Sequence, residues 1–142
     1  SLKNSYRKKP HFQEVAPQLL DILLDHNGSI CETNIALIQR VTSMLDLKTK
    51  IVKSSELKVK GVSNQRLINL TLAVGGTTYL AGDGAEDYQV VDMFKEAGLS
   101  FSKLGFEHPE HEQFEGLDFF SGLSIFDALS CTGIEGTRKM LV

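Results

Sequence analysis

Two stretches of this chain hold residue types able to do chemistry. The first runs Gly75-Gly76-Thr77-Thr78-Tyr79-Leu80-Ala81-Gly82-Asp83-Gly84-Ala85-Glu86-Asp87-Tyr88. Gly82-Asp83-Gly84 offers positions tolerant of positive φ, where backbone can approach a ligand closely, and Tyr79, Asp83 and Tyr88 add hydroxyl and carboxylate groups. The loop is neither a P-loop nor a full dinucleotide-binding fingerprint, so a plain turn is the competing reading. Asp83, Glu86 and Asp87 would repel a bare phosphate, whereas a sugar hydroxyl or an amine would be received directly.

The second stretch starts at His108-Pro109-Glu110-His111-Glu112 and continues to Ser124 and Asp127. Imidazoles and carboxylates suit zinc, but the spacing is neither His-Glu-x-x-His nor its inverse, and Pro109 interrupts any helix through the pair. No metal set is therefore expected. A solvated acidic loop and a role for His108 as general base or ligand-binding residue both stand. Ser124 and Asp127 have capping-box spacing, so Asp127 reads as a cap, with a general-base or substrate-amine contact as the alternative. Cys131 and Ser124 make poor nucleophiles because no histidine is near either in sequence.

The elements that must position these groups follow from periodicity. Phe12, Val15, Ala16, Leu19, Leu20, Leu23 and Leu24 recur at helical steps, ending at His26-Asn27-Gly28. Ser29-Ile30-Cys31-Glu32 is a capping box opening a second helix to Leu45, packed on the first. Thr49-Lys50-Ile51-Val52-Lys53 is β-branched and predicts a strand, and Ser63-Asn64-Gln65-Arg66 opens a third helix. Thr77 to Leu80 predicts a short strand covered on both faces, followed by a capping box at Asp83 and Glu86. A helix from Val90 to Ala97 closes at Gly98, and Leu99 to Leu104 alternates as a half-exposed edge strand would. Residues 105–122 are irregular, acidic and aromatic together. Two further helices follow, one from Leu123 and one over 133–141, the second opened by Thr132 and Glu135. Strands alternating with helices predict a single α/β domain with a small three-stranded parallel sheet, flanking helices and a helical carboxyl terminus. In such sheets ligands sit beyond the carboxyl ends of strands, which points to the loop after Ala81.

Composition bounds the rest. The 142 residues are 42% hydrophobic and 23% charged, enough for one core. No apolar run reaches the roughly 18 residues of a membrane helix and no signal peptide is visible, so a cytoplasmic protein without membrane contact is expected. Residues 1–60 hold 10 Lys/Arg against 6 Asp/Glu, while the remainder holds 5 against 12. Lys3, Arg7, Lys8 and Lys9 cluster around Tyr6, either as a solvated helix end or as an arm facing an anion. A pI near 5.8 without tryptophan argues against nucleic acid as a partner. Cys31 and Cys131 lack Cys-x-x-Cys spacing and are expected as buried free thiols.

Several segments together resemble the WbqC-like family found in bacterial surface-polysaccharide gene clusters such as those for O-antigen. They are Tyr6 to Phe12, Ser54-Ser55-Glu56-Leu57, Gly76 to Gly82 with Tyr88, Phe94-Lys95-Glu96-Ala97-Gly98, His108-Pro109 with Gln113, and Leu123 to Leu129 with Gly133. Their order covers nearly the whole chain, although Glu110-His111 and Gly122 stand where the family pattern usually has a tyrosine and a Phe-Pro pair. The family's large amino-terminal region has no counterpart here, so the chain reads as the carboxyl-terminal portion of a longer protein. The resemblance implies a role around nucleotide-linked amino sugars, with acyl or aminoacyl transfer by the full-length form; it names no cofactor. The expected pocket holds substrate at Tyr79, Gly82, Asp83, Tyr88 and Ser124 and acts through His108 and Asp127. A second expectation is a non-catalytic interaction domain whose partner covers Phe106, Phe114, Phe119 and Phe120.

Overall fold

Phe12, Val15, Ala16 and Leu19, spaced for one helical face, are all buried in this chain. The computed structural model describes residues 1–25, 28–84 and 88–141. These fall into two compact units, one formed by Ser1–Thr49 with His108–Val142 and the other by Lys50–Glu107. Among the described residues there are six helices and two strands, and no helix is long and apolar enough to cross a membrane.

The first unit is helical. A short α1 (Leu2–Tyr6) precedes α2 (Phe12–Leu24), which continues through Pro17 although that residue supplies no backbone N–H. His26 and Asn27, expected at the end of this helix, lie outside the described residues. In α3 (Ile30–Met44) the Ser29–Glu32 capping box forms as its spacing predicts: the Ser29 hydroxyl accepts from Glu32 N at 3.2 Å and the Glu32 carboxylate accepts from Ser29 N at 3.0 Å. The carboxyl half of α3 packs against this core through Leu37, Val41, Met44 and Leu45. Its first turn projects beyond that contact, leaving Ile30 83% exposed and Cys31 exposed, against the expectation of a buried thiol. The last helix, α6 (Ile125–Lys139), completes the core with Phe126 and Leu129 against Phe12, Val15, Ala16 and Leu19.

The second unit holds α4 (Ser63–Ala73), β1 (Thr78–Ala81), α5 (Val91–Glu96) and β2 (Ser100–Lys103). β1 and β2 pair in parallel, Thr78 opposite Ser100 and Ala81 opposite Lys103. Gly98 takes φ 77° after α5, the left-handed stop expected of it. Ile68, Phe94 and Leu99 form the core, with Tyr79 and Phe101 packed against it.

Two expectations fail here. The sheet has two strands among the described residues, not three. Thr49–Lys53 lies where one unit ends and the next begins, its side chains exposed, and it pairs with neither strand among the described residues, so its β-branched residues have no half-buried surface to fit. Nor is β1 covered on both faces: Tyr79 and Ala81 face the core while Leu80 is 57% exposed. Glu86, predicted to cap the turn after β1, lies outside the described residues with Ala85 and Asp87.

Candidate functional site

The chemistry in the helical unit is built on one face of α6. Its start is fixed by Ser124, whose hydroxyl accepts from Phe126 N at 3.2 Å. Asp127, three residues on, does not complete the capping box its spacing suggests. It is 1% exposed and its carboxylate is engaged inside the unit. Positions 127 and 131 lie one helical turn apart, which puts the Cys131 Sγ 3.8 Å from Asp127 Oδ1. At Gly133 the helix breaks, with φ 72° and ψ 179°. A Cβ there would stand 2.7 Å from His11 Nδ1, so glycine is required by both conformation and space. The break agrees with the two-helix reading of this segment, although Thr132 directs its hydroxyl to Ala128 O and Thr137.

The irregular segment after residue 107 delivers the partners. His111 Nε2 lies 2.9 Å from Asp127 Oδ2 and its Nδ1 lies 3.1 Å from Pro109 O. Gln113, 3% exposed, donates from Nε2 to the same Asp127 oxygen at 2.7 Å. Its amide is held in a reciprocal pair with Phe120, donating to that carbonyl at 2.9 Å and accepting from that N–H at 2.7 Å, which fixes which end faces Asp127. Phe119 packs edge-on against the His111 ring at 5.3 Å. A segment without regular structure thus satisfies its buried polar groups through side chains.

Charge at this site is concentrated on Asp127. Burial, reinforced by the neighbouring carboxylate, pushes the Cys131 thiol up to about 11, so it remains protonated at neutral pH and is a weak nucleophile. Burial and then Asp127 push the Tyr6 hydroxyl up to about 12. Tyr6 packs edge-on to Phe126 at 5.3 Å and beside Phe114 at 6.4 Å, and Lys9 Nζ stands 4.1 Å over the Phe114 ring. Ser130 Oγ is buried with no hydrogen-bond partner among the described residues.

The expected site residues divide between the units. Tyr79, Gly82, Asp83 and Tyr88 belong to the sheet unit; His108, Ser124 and Asp127 belong to the helical unit. In the sheet unit, Asp83 accepts from Gly105 N at 3.2 Å and Phe106 N at 3.1 Å, tying the loop after β1 to the loop after β2. The Tyr79 hydroxyl accepts from Gln89 Nε2 at 3.1 Å while its ring packs on Phe94 and Phe101. Tyr88 is 76% exposed and its carbonyl accepts from Asn64 Nδ2. Ala81, Gly82, Gln89, Val91, Phe101 and Lys103 line a cleft of about 100 Å³ at the carboxyl ends of the strands, where the topology predicts one. In the helical unit the imidazole bonded to Asp127 is His111, whereas His108 is exposed. Tyr6, His111, Gln113 and Cys131 complete the site around Asp127, and the readable signal was the one-turn spacing of Asp127 and Cys131.

Among known proteins, the chain is 28% identical over 142 residues to an uncharacterized protein of Mycobacterium tuberculosis, covering 95% of this chain and 59% of that relative, so it spans about three-fifths of the relative's length. No solved structure matches it. Residues 1–139 match the sequence model of one family, and the chain belongs to that family, the WbqC-like protein family.

Proposed function

We propose that this chain takes part in modifying nucleotide-linked amino sugars for bacterial surface polysaccharide, by acyl or aminoacyl transfer to the sugar amine. The observation that carries this reading is the buried Asp127 carboxylate bonded to His111 and Gln113. Acylation of an amine forms an N–C bond to the acyl carbonyl and expels the donor's leaving group. The nitrogen loses a proton in the process, so a positioned acid–base group is required. A carboxylate–imidazole pair is of the type that takes such a proton, once the His111 ring turns one nitrogen from its present partner toward the amine. The protonated Cys131 thiol favours direct transfer over a thioester on the protein.

The test is NMR titration of the chain with a panel of nucleotide-linked amino sugars. Millimolar-scale binding, on the order of 4 kcal/mol, is expected, with shifts at His111, Gln113 and the Asp127 backbone. Absence of binding across the panel, or binding that leaves these residues unmoved, overturns the reading.

A second reading, an interaction module, is favoured by the exposed apolar residues Leu117, Phe120, Leu123 and Ile125. Phe114 and Phe119 do not support it, because both rings already pack within their own unit. Rapid amide exchange over 115–123 that slows in the presence of a partner is its expected signature, and slow exchange in the isolated chain removes its motive.

A further inference from the structure

We infer that His111 Nε2, the Asp127 carboxylate and Cys131 Sγ form a binding site for one divalent transition-metal ion of the zinc type. These atoms all lie within 4.8 Å of one another, with 2.9 Å between His111 and Asp127 and 3.8 Å between Cys131 and Asp127. A tetrahedral ion with bonds of about 2.0–2.3 Å needs ligand atoms roughly 3.3–3.6 Å apart, which falls inside this range.

Two observations beyond proximity point to a cation. The first is the hydrogen-bond inventory of His111. Both ring nitrogens face oxygens that accept, the Pro109 carbonyl and the Asp127 carboxylate. A neutral imidazole carries one N–H. That N–H serves either Asp127 at 2.9 Å or Pro109 O at 3.1 Å, so in either tautomer one ring nitrogen is left with a lone pair facing an oxygen. A second proton would serve the pair alone; a metal ion would also use the sulfur that lies beside the same carboxylate.

The second observation is how the ligand side chains are themselves held. Histidines that bind metal nearly always donate their other ring N–H to a carbonyl or carboxylate, and ligating carboxylates are in turn hydrogen-bonded. Here Pro109 O receives Nδ1, and Gln113, locked by both backbone groups of Phe120, holds Asp127 Oδ2. A mixed nitrogen, oxygen and sulfur set suits zinc or cobalt better than magnesium or calcium. Three protein ligands leave a fourth position for water or substrate, where the ion could polarise a carbonyl. A metal-bound Nε2 takes up no proton, so this inference replaces the imidazole's role as base in the sugar-modification reading, and titration with metal alone tests it independently.

The experiment uses the full chain carrying Cys31→Ser, which removes the exposed second thiol, stripped with chelator and titrated with Co(II) and then Zn(II). One Co(II) per chain is expected, with visible bands of tetrahedral intensity and a near-ultraviolet thiolate charge-transfer band, both bleached by one equivalent of Zn(II). Further substitution Cys131→Ser should abolish the charge-transfer band. Gln113→Leu should weaken affinity roughly 10–100-fold while leaving the band in place at saturation. Absence of stoichiometric binding by the Cys31→Ser chain, or binding without a thiolate band, overturns the assignment. Because that chain retains every proposed ligand, its titration decides the matter even where the Cys131 or Gln113 variants fail to fold.

Discussion

The two units use their interiors differently. In the sheet unit Ile68, Phe94 and Leu99 form an apolar core flanked by aromatic rings, and the buried Asn64 serves to hold the Tyr88–Val90 turn through two backbone bonds. In the helical unit an apolar core of similar construction lies beside Gln113, Asp127 and Ser130, all buried. Burying a charge is expensive unless it is paired, so a protein that needs only stability fills such positions with hydrocarbon. The contrast teaches that the sheet unit spends its polar groups on holding loops, whereas the helical unit keeps a charged group where chemistry is possible.

The largest effects should come from the centres of the two interiors. Phe94→Ala and Asp127→Ala should each cost about 3–5 kcal/mol, the first by leaving a cavity and the second by stranding His111 and Gln113. Their repair should differ. Phe94→Leu should recover much of the loss, because an apolar residue of roughly the right size suffices there. Asp127→Leu should recover little, since the donors facing it keep no acceptor. Chemical denaturation followed by circular dichroism, with exchange mass spectrometry to locate the loss, measures both. Full rescue by Asp127→Leu would erase the distinction.

Gly133→Ala comes next, at about 2–4 kcal/mol, from a backbone region nearly closed to other residues plus a clash with the His11 ring. The corresponding change at Gly98, where a Cβ meets nothing within 4 Å, should cost only about 1 kcal/mol from its positive φ. Equal costs would show that His11 moves aside freely.

How far these contrasts could be read from sequence depends on whether the cause is local. The α2 stripe from Phe12 to Leu19, the Ser29–Glu32 box, the Gly98 stop and the Ser124 cap are set by neighbours within four residues and appear as their spacing suggests, whereas Leu23 and Leu24, read on the same buried face, are exposed. The strand at Thr49–Lys53 needed an edge to pair with, which no local pattern supplies. Asp127 shows the same limit at the site. Its distance from Ser124 fits a cap, but its partners are 14 and 16 residues earlier, on a segment without periodicity. His111 was visible as a residue type and not as a neighbour, whereas Cys131 stands one helical turn from Asp127.

Titration sharpens the contrast further. In the metal-free chain two groups beside Asp127 are raised, the Cys131 thiol from near 9 to about 11 and the Tyr6 hydroxyl from near 10 to about 12. Each favours the neutral form in the folded state. Its contribution to stability is therefore complete below pH 9 for Cys131 and below pH 10 for Tyr6, and is lost as pH rises through about 11 and about 12. Thiolate absorbance of the Cys31→Ser chain should rise near pH 11, with urea midpoints falling over the same span. A thiol titrating near 9 would mean that neither its burial nor Asp127 acts on it.

The smallest effect tests the polar interior from its weakest member. Ser130 Oγ is buried and unpaired among the described residues, while its backbone carbonyl accepts from His11 N at 3.1 Å. A hydroxyl taken out of water without a partner opposes folding by about 1–3 kcal/mol, and alanine at this position removes that opposition at the cost of a cavity smaller than a water molecule. The carbonyl bond is untouched by the change. Ser130→Ala should therefore lie within about 1 kcal/mol of the parent, on the stabilising side, whereas Asn64→Ala in the sheet unit should lose about 1–3 kcal/mol because its two backbone partners are left unmet. Measured by urea denaturation side by side, the pair separates a buried polar group that holds structure from one that does not. A loss at Ser130 as large as that at Asn64 would place the serine hydroxyl within the bonded network around Asp127.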